Sequence, residues 1–198
     1  MALPIKSMLL ATALTAVSFP ALAQSQGDIH LGVGISGVFP KSDNGTVATN
    51  DLDIDEGYAA SFTIEYFVRD NIGIELLAST QFEHDYSLSG GLTGDFKLLP
   101  PTLSVNYHFQ TGTPWKPYVG AGLTYAYISD ESPDPISIDN AWGLGVQAGV
   151  DYAVSDTGSI RFNVRYIDVE TDVKQAGVKI GEADVDPFVL TAAYVFRF

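Results

Sequence analysis

Read back from the terminal Phe198, every second side chain is apolar and mostly bulky: Phe196, Tyr194, Ala192, Leu190 and Phe188 share one face. Arg197, Val195, Ala193, Thr191 and Val189 take the other. Successive side chains of a strand point to opposite sides, so the chain ends in a strand with one greasy and one mixed face. A slip of one residue would exchange the faces, which makes this alternation a strict constraint on the fold. Seven earlier segments carry the same code: about Asp28–Phe39, Tyr58–Val68, Ile72–Glu83, Thr102–Phe109, Pro117–Ile128, Ala141–Ala153 and Ile160–Tyr166. The cleanest is Ala141–Ala153, where Trp142, Leu144, Val146, Ala148, Val150 and Tyr152 alternate with Gly143, Gly145, Gln147, Gly149 and Asp151.

The connections alternate in length. Arg69–Asn71, Gln110–Lys116 and Ser155–Ser159 are short, whereas Pro40–Gly57, Asp85–Leu99, Ser129–Asn140 and Asp168–Asp186 are long and acidic. This is the layout of an up-and-down barrel with one elaborated rim. No apolar run in Gln24–Phe198 is long enough to cross a bilayer as a helix, so a membrane would have to be crossed by strands. The apolar face carries no charge through the middle of any segment, and a charge facing lipid costs about 2–4 kcal/mol at the midplane. Aromatics gather near both ends of the segments, as two interfacial girdles would require. The predicted fold is therefore all-β, an eight-stranded antiparallel up-and-down transmembrane β-barrel with its long acidic loops outside. A soluble ligand-binding barrel would turn its polar face to water. Here the less apolar face is rich in glycine and serine, small enough to fill a narrow interior.

The first residues read as a secretory signal peptide: Lys6, an apolar run from Met8 to Phe19, Pro20, then Ala21-Leu22-Ala23. Cleavage is expected after Ala23, which divides the chain into a signal, residues 1–23, and one barrel domain, residues 24–198. Cysteine is absent, so export is not used to build a disulfide framework. A net charge of −14 argues against nucleic acid as a partner.

Strand direction gives each inward residue a height. His30, Glu65, Glu75, His108, Asp151, Arg161 and Arg197 fall in the lower, periplasmic half, with Arg165 near the middle. Charges in so narrow a space must pair, so these residues are expected to form an ionic plug that braces the barrel. Above them Leu77, Ser79, Thr102, Gly143, Gly145 and Val189 are uncharged and define a neutral upper lumen, the expected ligand path. An eight-stranded barrel has room inside for side chains or one small ligand. Pro100 and Pro101 cannot donate ladder hydrogen bonds, so the wall is expected to be weak at the upper end of the fourth segment, beside the third. A small hydrophobic molecule entering from outside would then leave sideways through that opening, because the floor is closed.

With these positions in hand, the chain resembles the OmpW family of small outer-membrane barrels. The likeness rests on Asp70-Asn71-Ile72-Gly73-Ile74-Glu75-Leu76-Leu77-Ala78, on Leu99-Pro100-Pro101-Thr102-Leu103 leading to Tyr107-His108-Phe109, and on Lys116-Pro117-Tyr118-Val119-Gly120-Ala121-Gly122-Leu123. It continues through Trp142-Gly143-Leu144, Gly149-Val150-Asp151-Tyr152, Tyr166-Ile167-Asp168-Val169 and Asp186-Pro187. At Gln81 the chain departs from the proline typical of the family before Phe82. The resemblance implies an outer-membrane location, with lipid and lipopolysaccharide around the barrel. It also implies passage of small hydrophobic compounds through a hydrophobic upper lumen with lateral release, and recognition of the terminal Phe198 by the barrel-assembly machinery.

Two other classes of function are weighed against this. Catalysis has little to work with, since His30, His84 and His108 are the only imidazoles, and in Glu83-His84-Asp85 consecutive side chains point to opposite faces. No enzyme activity, cofactor or metal is expected, and the acids of Asp51–Glu56 do not have the spacing of a calcium loop. A structural, adhesive or receptor barrel acting through its acidic external loops is the stronger alternative, and its mark would be a lumen filled from top to bottom.

Overall fold

The computed structural model describes residues 24–198; the expected signal peptide lies outside the described residues. Period-two alternation becomes strand at all eight places the sequence marks. These are β1 (Ile29–Phe39), β4 (Gly57–Arg69), β5 (Ile72–Ser79), β8 (Thr102–His108), β9 (Trp115–Ser132), β11 (Ala141–Ala153), β12 (Gly158–Asp168) and β15 (Phe188–Arg197). Each pairs antiparallel with the next, and β15 returns to β1 with Leu31 opposite Phe196 and Ser36 opposite Thr191, so the sheet closes on itself and has no free edge. Leu144, Trp142, Phe62 and Leu190 stand uncovered on the outer face, where lipid takes the place of a protein core. The β4–β5 turn passes through Asn71 at φ +69°, a left-handed conformation that asparagine tolerates.

The sequence reading is corrected in the long connections. They are not loops: β2 (Thr46–Val47), β3 (Asn50–Ile54), β6 (Phe82–Leu88), β7 (Thr93–Leu99), β10 (Ile136–Ile138), β13 (Glu170–Gln175) and β14 (Val178–Asp184) lie in them. These seven strands join in the order β10-β13-β14-β2-β3-β6-β7 and attach through β7 to the upper end of β9. A tilted strand crosses a bilayer in about 9–11 residues. With 18 residues β9 is far longer, so its upper third rises above the membrane and carries this second storey. Here too alternation sorts the side chains. Leu52, Ile54, Tyr86 and Leu88 turn inward onto a shared apolar core with Val47, Phe96, Ile128 and Val173, while Asp51, Asp53, Asp55 and Asp85 face water.

A second correction follows from the first. The third segment does not run unbroken to Glu83; β5 stops at Ser79, the chain steps out of the wall at Thr80 and Gln81, and β6 restarts between β3 and β7. Parity is reset by that step. Phe82, expected on the lipid face, is buried among Val38, Ala59, Ala126 and Val189, and Glu83, expected inside, is exposed.

Candidate conduit: an ionic floor beneath an apolar cavity

Residues spaced two apart on neighbouring wall strands bring the lower-half charges to one level. Arg161 on β12 is 2% exposed and sits at the centre. Its Nε and Nη2 donate to the two carboxylate oxygens of Asp151 at 2.7 and 2.8 Å, Nη1 donates to Glu75 at 2.6 Å, and Nη2 also donates to Glu65 at 2.9 Å. Arg165 donates to Glu75 at 3.1 Å and to the Gln147 side-chain oxygen at 2.6 Å. Three carboxylates thus face two guanidinium groups, and further side-chain donors solvate them. The Asn106 amide donates to Glu65 at 2.9 Å, His108 Nε2 donates to the same oxygen at 2.8 Å, and the Gln147 amide donates to Glu75 at 3.3 Å. The Tyr118 ring lies under Arg161, 4.8 Å from the guanidinium carbon. Buried charges are tolerated on these terms, where each carboxylate accepts at least two charge-assisted or amide hydrogen bonds.

Small residues on β9 and β11 make room for this layer. A Cβ on Gly120 would stand 2.1 Å from the Asn106 side-chain oxygen, and one on Gly149 would stand 2.4 Å from the Tyr118 ring. On the periplasmic side of the layer Gln24 is buried and its amide donates to His108 Nδ1 at 3.1 Å.

The other charged candidates sit apart from this cluster. Arg197 pairs with Asp28 at 2.8 Å near the lower rim. His30 packs on Phe67 at 4.7 Å, with neither ring nitrogen hydrogen-bonded. Charge alone therefore misses Gln24, Asn106, Tyr118, Gln147 and also Asn163, whose amide donates to the Tyr118 hydroxyl at 2.9 Å and to the Gln147 side-chain oxygen at 3.0 Å. Four of these lie at inward positions of wall strands, a signal the sequence does carry.

Of the upper-lumen residues, Leu77 and Thr102 face each other on the last rung of the β5–β8 ladder. The Thr102 hydroxyl is held by Thr124 at 2.8 Å and by the Pro100 carbonyl. Ser79 is opposite Ser61, and neither hydroxyl has a partner among the described residues. Gly143 and Gly145 line the interior between the floor and the rim. Val189 also borders a cavity the sequence reading missed, which lies within the second storey. Its walls include Val47, Leu52, Ile54, Leu88, Phe96, Ile128, Ile136 and Val173 from above and Val38, Pro100, Ala126 and Ile167 from below. Its free space is about 60 Å³, several times the roughly 10–15 Å³ one water needs. His84, Tyr86, Thr124 and Thr171 are the residues with polar side chains on this wall. Burial holds the His84 imidazole below its ordinary pKa, against weaker opposing effects of Asp55 and Asp85.

Above Leu77 and Thr102 the wall ladder is interrupted. Ala78 and Ser79 pair with β4 alone, Leu99 pairs with Tyr127 of β9, and pairing between the two sides resumes at Phe82 and Leu98. Pro100 and Pro101 occupy the interruption, which at ~3.3 Å per residue is roughly 10 Å tall. Gln81 donates from its side chain to the Ser129 hydroxyl at 3.3 Å.

A closed antiparallel barrel with a charge-free outer face, polar only within, is a bacterial outer-membrane β-barrel. Comparison with known proteins narrows the class: the OmpW family model matches residues 25–198, and the chain belongs to that family. Outer membrane protein W of Vibrio cholerae is 32% identical over 202 residues, covering 91% of this chain and 93% of the relative. The dibenzothiophene metabolism operon protein PahQ of Pseudomonas aeruginosa is 28% identical over 126 residues, 62% of this chain and 58% of that protein. The crystal structure of the outer membrane protein OprG from Pseudomonas aeruginosa superposes with a TM-score of 0.76 at 24% identity, covering 89% of this chain and 98% of that one. This last likeness speaks for the fold.

Proposed function

We propose that the protein is a non-catalytic conduit that admits small hydrophobic molecules across the outer membrane. A guest enters from outside through the apolar cavity of the second storey and descends past Val189 into the neutral zone around Leu77, Ser79, Thr102, Gly143 and Gly145. It meets the plug built from Glu65, Glu75, Asp151, Arg161, Arg165 and His108, with His30 and Arg197 beneath. Burying an apolar body against these charges returns nothing, so the guest leaves sideways into lipid through the interruption at Pro100 and Pro101. The observation that carries this reading is the stacking of an apolar cavity over a fully paired ionic layer, with the break in the wall ladder between them. A relative named for a dibenzothiophene operon fits a hydrophobic cargo. The remaining parts of the reading are lipopolysaccharide around the outer leaflet, Phe198 as the assembly signal, and residues 1–23 as a cleaved leader.

The test is uptake of naphthalene into proteoliposomes. The double substitution Pro100→Thr with Pro101→Val restores one ladder donor facing β5, at position 100, and one facing β9, at position 101, and uptake should slow several-fold while the barrel still folds, as judged by its heat-sensitive gel migration. Uptake at the wild-type rate from a folded double variant would refute the lateral route.

A further inference from the structure

Three of the four polar side chains on the cavity wall are satisfied within the protein. The Tyr86 hydroxyl donates to the Ser132 carbonyl at 2.8 Å, the Thr171 hydroxyl donates to the Asp139 carbonyl, and the Thr124 hydroxyl bonds that of Thr102. His84 is different. Its Nδ1 lies 2.8 Å from the Asp55 carbonyl oxygen. A carbonyl oxygen can only accept, so Nδ1 carries the proton and Nε2 of the neutral ring presents a lone pair. That nitrogen has no hydrogen-bond partner among the described residues, although His84 is only 2% exposed.

The ring is held in place, stacked on Phe96 with centroids 5.3 Å apart. Beside Nε2 the chain has Gly57, where a Cβ would stand 2.9 Å away, so any other residue at this position would press on the ring. A water lodged there would need two to four polar partners. The side-chain hydroxyls of this wall are already engaged within the protein. A buried acceptor without a donor is a standing penalty, and the group best suited to relieve it is an apolar body carrying a single donor.

We propose that His84 determines specificity in this cavity, its Nε2 accepting a hydrogen bond from the one hydroxyl or N–H of an otherwise apolar guest. The cavity then favours phenols, indoles and alcohols over hydrocarbons of the same shape. This inference rests on the conduit reading, because it assumes that guests occupy the cavity.

The experiment compares 1-naphthol with naphthalene on the full-length detergent-solubilised barrel, wild type and His84→Phe, by ligand fluorescence. Phenylalanine keeps the stack on Phe96 and removes the acceptor. The ratio of naphthol to naphthalene affinity should fall about 3- to 10-fold in the variant. In the wild type, the ¹⁵N resonance of His84 Nε2 should move on adding naphthol and stay in place with naphthalene. An unchanged ratio, or an Nε2 resonance indifferent to naphthol, overturns the role of His84 while naphthalene binding keeps the conduit reading alive. Failure of naphthalene to bind either protein overturns both.

Discussion

Replacing Arg161 with methionine preserves most of the stem volume and removes a guanidinium that makes four hydrogen bonds to three carboxylates. Glu65, Glu75 and Asp151 would then be left at one level of a narrow lumen with Arg165 as the remaining guanidinium of the cluster. Breaking a buried ion pair by deleting one partner costs about 3–5 kcal/mol, because the abandoned charge stays buried. With a urea slope near 2 kcal/mol/M, typical for a small protein, the unfolding midpoint should drop by roughly 1.5–2.5 M. Trp115 and Trp142 stand on the outer face of adjacent strands and report unfolding in vesicles by fluorescence. The physical cause is checked by a repaired variant. Arg161→Met combined with Glu75→Gln and Asp151→Asn leaves Glu65 and Arg165 in balance, and should recover at least half of the loss. A single variant destabilised by less than about 1 kcal/mol, or a triple variant no better than the single, would refute the view that the floor is held by mutual compensation of charge.

Two further outcomes follow from particular contacts. Gly149→Ala should destabilise the barrel by about 1–3 kcal/mol, since the new methyl would meet the rigid Tyr118 ring at 2.4 Å; Gly145→Ala, whose nearest atom would be 3.4 Å away, should be close to neutral in the same urea titration. His84 should also make stability depend on pH. Burial lowers its pKa in the folded protein, so the unfolded chain takes up the proton first. The contribution is complete above the unfolded value of about 6.5 and is lost as pH falls from there through the lowered folded value. The urea midpoint of His84→Phe should accordingly vary less than that of the wild type between neutral and mildly acid pH, and parallel curves would count against a buried neutral imidazole.

The wall of this barrel is legible in the sequence because lipid enforces it. A residue such as Val146 must face hydrocarbon and Gln147 must not, so parity survives in every wall strand. The charged half of the floor is legible for a related reason, since Glu75 and Arg161 have nowhere to go but inward. A reading by charge passes over Asn106, Tyr118 and Gln147, though parity places them inside, and no periodicity marks Gln24. The second storey is harder. Asp51-Leu52-Asp53-Ile54-Asp55 and Phe82-Glu83-His84-Asp85-Tyr86 alternate as clearly as any wall strand, yet their acidity and short length give them the look of loops. Their partners are remote, with β3 beside β6 and β14 beside β2, and no local signal specifies such pairings. Phe82 fails for a specific reason: the alternation runs on unbroken across Thr80-Gln81, while the chain itself changes sheets there.

On the proposed conduit reading, that change of sheets decides where a guest would sit. Eight strands leave an interior that side chains nearly fill, and here the lower part is taken by a layer in which three carboxylates and two guanidinium groups must stay in register. An apolar guest gains free energy in proportion to the area it removes from water, which it cannot do among those charges. By lifting Leu52, Ile54, Leu88 and Phe96 above the membrane on strands that leave the wall, the chain obtains an apolar enclosure without widening the barrel. The same departure of β6 and β7 from the wall leaves Ala78 and Ser79 with ladder partners on the β4 side alone. The cavity and the break in the wall thus share one structural cause, and joining β5 to β8 above Leu77 and Thr102 should alter both together.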